Sequence, residues 1–179
     1  MKRKISIFIL LIITIILSGC TLNMSPKEKT IEFLDKYINN DSEIMKEVDD
    51  YLKTQDLKDE QRMRYKNIIK EEYSTLKYDI KKETIKDDEA SVEVDINVTD
   101  LYSASQRAND DLLDNPSDFY VDGIYSSEIF IDHKLDIMEE TKEKVSYTVT
   151  FNYKKIDGKW ELQQLTDESL EKIHGIYKY

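Results

Sequence analysis

Apolar residues follow three different rhythms along this chain. Ile5 to Leu17 is an almost unbroken apolar run, interrupted by Ser6 and Thr14, with Lys2, Arg3 and Lys4 ahead of it and Ser18, Gly19 and Cys20 behind. From Ser25 to about Tyr73 the spacing becomes helical. Ser25-Pro26-Lys27-Glu28 combines an N-cap serine, proline at the first helical position and glutamate at the third, which is a capping box. Ile31, Leu34 and Ile38, with Phe33 and Tyr37 beside them, keep the helical period. Asn39-Asn40-Asp41 interrupts it, and Asp41 or Ser42 caps a second helix with the stripe Ile44, Met45, Val48, Tyr51 and Leu52. A third helix is predicted from about Asp56 to Tyr73, turning Leu57, Tyr65, Ile68 and Ile69 inward; the three are alternatively one kinked element.

The third rhythm is alternation. Leu76, Tyr78 and Ile80 alternate with Lys77, Asp79 and Lys81, and after the polar turn Lys86-Asp87-Asp88-Glu89 the run Val92, Val94, Ile96, Val98 alternates strictly with Glu93, Asp95, Asn97 and Thr99. β-Branched residues at period two predict a hairpin with one face buried. A second pair follows late in the chain: Val145, Tyr147, Val149, Phe151 and Tyr153 alternate with polar residues, and Asp157-Gly158 turns into Trp160-Glu161-Leu162. Between the pairs, Ser103 to Asp114 is compatible with a helix, Asn115-Pro116 ends it, and the next begins at Ser117 or after Gly123. The stripe Ile131, Leu135, Met138 predicts helix from about Ser126 to Glu140. Thr166 or Asp167 caps a last helix carrying Leu170 and Ile173.

Helices, hairpin, helix, hairpin, helix is an α+β order: N-terminal helices packed on a curved antiparallel sheet of about four strands. This order, closing on a Tyr/Val/Phe strand, Asp157-Gly158-Lys159-Trp160 and a final leucine-bearing strand, resembles the cystatin-like cone of the nuclear-transport-factor-2-like superfamily over about Ser25 to Leu165. Residues 101–127 depart from it as an insertion. The resemblance implies a sheet and helix that enclose a pocket, in which Tyr78, Tyr147, Tyr153 and Trp160 are the aromatic candidates; in the plainer reading the same rings fill the core.

The leading segment has the basic start, apolar middle and small-residue exit of an export signal, and the run is short for a bilayer span of ~20 residues. Leu17-Ser18-Gly19-Cys20 resembles the signal of bacterial lipoproteins, which implies cleavage before Cys20 and a diacylglycerol on its sulfur. The expected organisation is signal peptide 1–19, lipidated Cys20 with a tether to residue 24, and one α+β domain from 25 to 179, held by lipid on the extracytoplasmic face of the cell membrane. Thr21 to Met24 reaches only ~13 Å, so the domain is expected to ride close to the bilayer.

Charge narrows the partners. The chain carries a net charge of -11, and the leading segment holds three basic and no acidic side chains, which leaves the remainder at -14. Such a surface argues against nucleic acid and against a broad contact with anionic lipid heads. Cys20 is the only cysteine, so with lipid on it no disulfide, thiolate zinc site or cysteine nucleophile remains. No metal or cofactor is expected: the acidic clusters Asp49-Asp50, Asp87-Asp88-Glu89 and Asp110-Asp111-Leu112-Leu113-Asp114 lack the alternation and central glycine of a calcium loop. Of the two histidines, His133 stands where Asp136 would orient it as a general base, or is a surface residue, and His174 sits at a helix end. The leading expectation is a non-catalytic lipoprotein that binds a small ligand or a partner protein. An enzyme with a pocket in the cone, which requires His133 to face the sheet, and a steric self-protection or accessory lipoprotein are the alternatives.

Overall fold

A computed structural model describes residues 24–178. Helices α1 (Pro26–Ile38), α2 (Ser42–Lys53) and α3 (Asp59–Thr75) precede the hairpin of β1 (Lys77–Lys86) and β2 (Glu89–Thr99). Helix α4 (Leu101–Asp114), a single 3-10 turn (Pro116–Phe119), the two-residue strands β3 (Tyr120–Val121) and β4 (Ile124–Tyr125) and helix α5 (Ser127–Glu140) follow. Then come β5 (Lys144–Ile156), β6 (Lys159–Leu162) and α6 (Asp167–Ile173). The domain is α+β, with a four-stranded antiparallel sheet in the order β1-β2-β5-β6 and a separate β3-β4 ribbon.

Caps and turns account for the element boundaries. Ser25 Oγ accepts the Glu28 N–H while Glu28 Oε2 accepts the Ser25 N–H, so the capping box closes in both directions. Asn40 adopts φ +50°, which separates α1 from α2 and rules out one kinked helix. Helix α3 starts at Asp59, later than the periodicity suggests, and Leu57 packs on the core from the loop before it. Asp122-Gly123 and Asp157-Gly158 each place two consecutive residues at positive φ, the geometry whose twist suits a two-residue hairpin loop.

Alternation along β2 does what the sequence requires: Val92, Val94, Ile96 and Val98 are buried, and the register sets them against Phe151, Val149, Tyr147 and Val145 of β5. Helices α1 and α3 cover this face through Phe33, Leu34, Tyr37, Ile69 and Tyr73, with Phe33 edge-on to Phe151 at 5.6 Å. The opposite face is polar, where Thr148 donates to Asp95 at 2.7 Å and Lys81 pairs with Asp95.

The contacts also fix a long axis. Helix α1 begins beside the β1-β2 turn, where the Lys27 N–H donates to Glu83 (2.9 Å) and Thr30 meets Tyr153 (2.7 Å). It runs toward the Thr99 end of the sheet, where Tyr37 meets Tyr73. Helix α3 runs the opposite way, Asn40 donating to the Lys70 carbonyl, so its N-terminal half projects past the sheet. Helix α5 lies parallel beside it: Gln61 donates to Asp132 (2.9 Å), Arg64 grips Asp136 and Glu139, and Lys142 reaches Glu71. Helix α4 leaves from Thr99 and returns as α5, so the β3-β4 ribbon caps a helical hairpin at the end opposite the start of α1.

Candidate functional site

The four candidate aromatics all lie along the inner face of the sheet, but they do not converge. Tyr153 is buried and its hydroxyl is 2.7 Å from Thr30 Oγ1. Tyr78 donates to Asp35 at 2.9 Å, and burial, with the carboxylate beside it, pushes its phenol up to about 12. Tyr147 is separated from Tyr78 by Ile96 of β2 and donates to the Tyr177 carbonyl at 3.3 Å. Trp160 stacks under the Lys155 ammonium, 5.5 Å from the ring centre. Each ring has its own partner, in α1 for Tyr153 and Tyr78, in the segment after α6 for Tyr147 and in β5 for Trp160.

His133 is not over the sheet. It stands in the α4-α5 hairpin with Nε2 2.8 Å from Asp111 Oδ2 and its ring edge-on to Phe119 at 5.3 Å. Asp136, the partner expected from helical spacing, points instead to Arg64 at 2.5 Å. The enzyme reading loses its base by this placement. His174 is deep in the core, not merely at a helix end: its Nδ1 is 2.7 Å from the Tyr73 hydroxyl.

A small cavity of about 90 Å³ opens where α3, α5 and the start of α4 meet, lined in part by Ile68, Glu72, Thr99, Leu101, Met138 and Lys144. Glu72 is 2% exposed, and no hydrogen bond of good geometry reaches either carboxyl oxygen. Burial pushes its carboxyl up to about 8, against the pull of the Lys144 charge and the nearby Thr99 backbone. Lys144 itself donates to Thr75 Oγ1 (2.7 Å) and Thr99 Oγ1 (2.9 Å), and burial lowers its pKa. The Lys144 ammonium is thus spent on two hydroxyls and leaves both Glu72 oxygens without a partner, in a space that fits a few waters.

The feature that stands out is at the other end of the α4-α5 hairpin. Phe119 is buried against Phe130 (5.7 Å) and His133, and the Ser126 N–H donates to the Phe119 carbonyl at 2.8 Å. On this base the β3-β4 ribbon holds Tyr120 edge-on to Tyr125 at 5.8 Å. Val121 and Ile124 flank the Asp122-Gly123 turn and are 52% and 72% exposed. Leu113 at the end of α4 is 76% exposed. Scattered apolar residues on a surface are ordinary, whereas neighbouring ones on a pinned ribbon make this tip the candidate site. Sequence reading missed this ribbon, although Asp-Gly between Tyr120-Val121 and Ile124-Tyr125 is the same signal that revealed the β5-β6 turn.

Among the described residues no group of His, Cys, Asp and Glu is arranged to hold a metal ion, and no helix is long and apolar enough to cross a membrane. Cys20, the signal segment and most of the tether lie outside the described residues. No family model, curated protein or solved structure matches the chain.

Proposed function

We propose that this chain is a lipid-anchored extracytoplasmic protein whose domain carries no chemistry of its own and binds a partner protein through the β3-β4 tip. The anchor rests on the Leu17-Ser18-Gly19-Cys20 pattern behind a basic and apolar start; two acyl chains hold a protein on a bilayer stably where one does not. The observation that carries the binding reading is the exposure of Val121 and Ile124 on a ribbon fastened by the buried Phe119.

Two measurements test it. Wild-type protein partitions into detergent with the membrane fraction, and Cys20→Ala does not; equal partitioning would remove the lipid anchor. Gentle release from its own membranes followed by native mass spectrometry gives a heavier protein complex for wild type and a bare monomer for Ile124→Asp. A small added mass retained by Ile124→Asp would place the binding elsewhere, the cavity beside Glu72 being the first place to look.

A further inference from the structure

We infer that the partner's docking surface is an apolar cleft rimmed by lysine and arginine, entered by Val121 and Ile124. This rests on the reading of the tip as the binding site and adds what that site recognises. From Asp110 to Asp132 the chain holds seven acidic side chains and no lysine or arginine. Three of the seven are answered within the fold: Asp111 by His133, Glu128 by Lys58 and Asp132 by Arg64. Asp110, Asp114, Asp118 and Asp122 are exposed and have no ion pair among the described residues. Asp122 stands in the turn itself, directly between the two exposed aliphatic residues.

This charge selects among occupants. A second copy docking tip to tip would bring two uncompensated acidic rims together, which like-charge juxtaposition opposes. The anchoring bilayer is excluded twice over. Its anionic heads repel the rim, and the tip lies at the far end of the long axis from Met24, on the order of 40 Å away by strand and helix rise. A protein presenting basic groups around an apolar cleft is attracted by the rim and desolvates Ile124 at the centre, the arrangement of a contact with a buried anchor and a charged border. The ribbon needs little ordering to bind, because its turn, its ring pair and the Phe119 base are already set.

The test places a photo-crosslinking phenylalanine analogue at Ile124 of the full-length, lipid-anchored chain in the cells that make it, and maps the adduct by peptide sequencing. The expected adduct lies on a protein surface where an apolar cleft is bordered by lysine or arginine. Its yield falls at least tenfold in an Asp114→Lys, Asp118→Lys, Asp122→Lys chain whose circular dichroism is unchanged. Adducts with lipid, with a second copy of the chain, or with a cleft lacking basic neighbours overturn this inference while leaving tip docking intact. So does a yield indifferent to the three reversals. The absence of any adduct at Ile124, with a probe on the outer sheet face at Lys154 as the comparison, overturns tip docking and this inference together.

Discussion

Tyr73 Oη lies 2.7 Å from His174 Nδ1, joining two buried residues 101 positions apart, and the second imidazole nitrogen of His174 has no hydrogen-bond partner. The bond fastens the end of the chain to the helix that leads into the sheet. Burial drives the imidazole down from 6.5 to about 4. The unfolded chain therefore takes up a proton in that window that the folded chain refuses. Stability contributed by the neutral ring is complete above pH 6.5 and is lost as pH falls toward 4, by on the order of 3 kcal/mol in full. His174→Gln is expected to be less stable than wild type at pH 7 yet to lose about 2 kcal/mol less between pH 6.5 and 4.5. Urea midpoints of both proteins across that range decide it; parallel curves would mean that the imidazole is protonated in the fold.

Glu72 carries the opposite dependence. Its carboxyl rises from 4.5 to about 8 through burial, so the folded chain holds a proton that the unfolded chain has released. That stabilisation is present below pH 4.5 and fades as pH climbs through 8. Wild type is thus expected to lose about 2 kcal/mol between pH 6.5 and 8 from this group, and Glu72→Gln, which keeps the shape and cannot ionise, is expected to lose none of it. An alkaline slope shared by both proteins would show that Lys144 holds Glu72 ionised. The two buried groups oppose each other between pH 4.5 and 6.5, which leaves wild type with a flat optimum that neither single variant keeps.

Two glycines in the same left-handed backbone region are expected to differ in what they tolerate. Gly175 and Gly158 adopt φ +66° and +78°. A Cβ on Gly175 would stand 2.0 Å from the Thr99 carbonyl oxygen, whereas one on Gly158 meets nothing within 4 Å. The Gly175 carbonyl also accepts the Tyr102 N–H at 2.9 Å, so the close approach carries the start of α4 as well. Gly158→Ala is expected to cost about 1 kcal/mol from the positive angle alone. Gly175→Ala adds a backbone clash and is expected to exceed about 3 kcal/mol. Thermal melts of the two variants give the comparison directly; equal losses would mean that Gly175 shifts freely away from Thr99.

The reach of sequence reading follows from the range of the forces involved. β2 was legible because burial on one face imposes period two, and Val92 to Val98 obeys it without exception. The first capping box was legible because its partners are three residues apart. The tip ribbon was not, since strands of two residues offer no alternation to detect and leave only Asp122-Gly123 as a mark. Helical spacing makes Asp136 the neighbour of His133, but the interaction is decided by α4, which brings Asp111 across from 22 positions away. Glu71 and Glu72 look alike in sequence, yet one is exposed and the other buried. Glu72 lies three and four residues after Ile69 and Ile68, on the stripe that faces inward, which was the available signal. The tyrosines resisted assignment for a different reason: alternation gives the face of a strand, not whether the space above it is hollow or filled.

Phe119 and Ile124 separate what holds the tip from what the tip offers. Both are large apolar residues of the same short segment, but Phe119 is 4% exposed, with Phe130 and His133 against it, while Ile124 points to solvent. Truncation of a buried phenylalanine costs about 3–5 kcal/mol, and Phe119→Ala is expected to approach the lower figure because its pocket lies at the end of a helical hairpin. It is expected to raise amide exchange through residues 115–130 before it lowers the melting temperature, since Phe119 lies outside the core cluster that packs on the sheet. Ile124→Ala removes surface that folding never buried and is expected to change stability by less than about 0.5 kcal/mol. Hydrogen exchange and melting curves on the two variants therefore give opposite results if Val121 and Ile124 are kept exposed for contact. A loss of more than about 1 kcal/mol in Ile124→Ala would make the ribbon part of the core and withdraw the site.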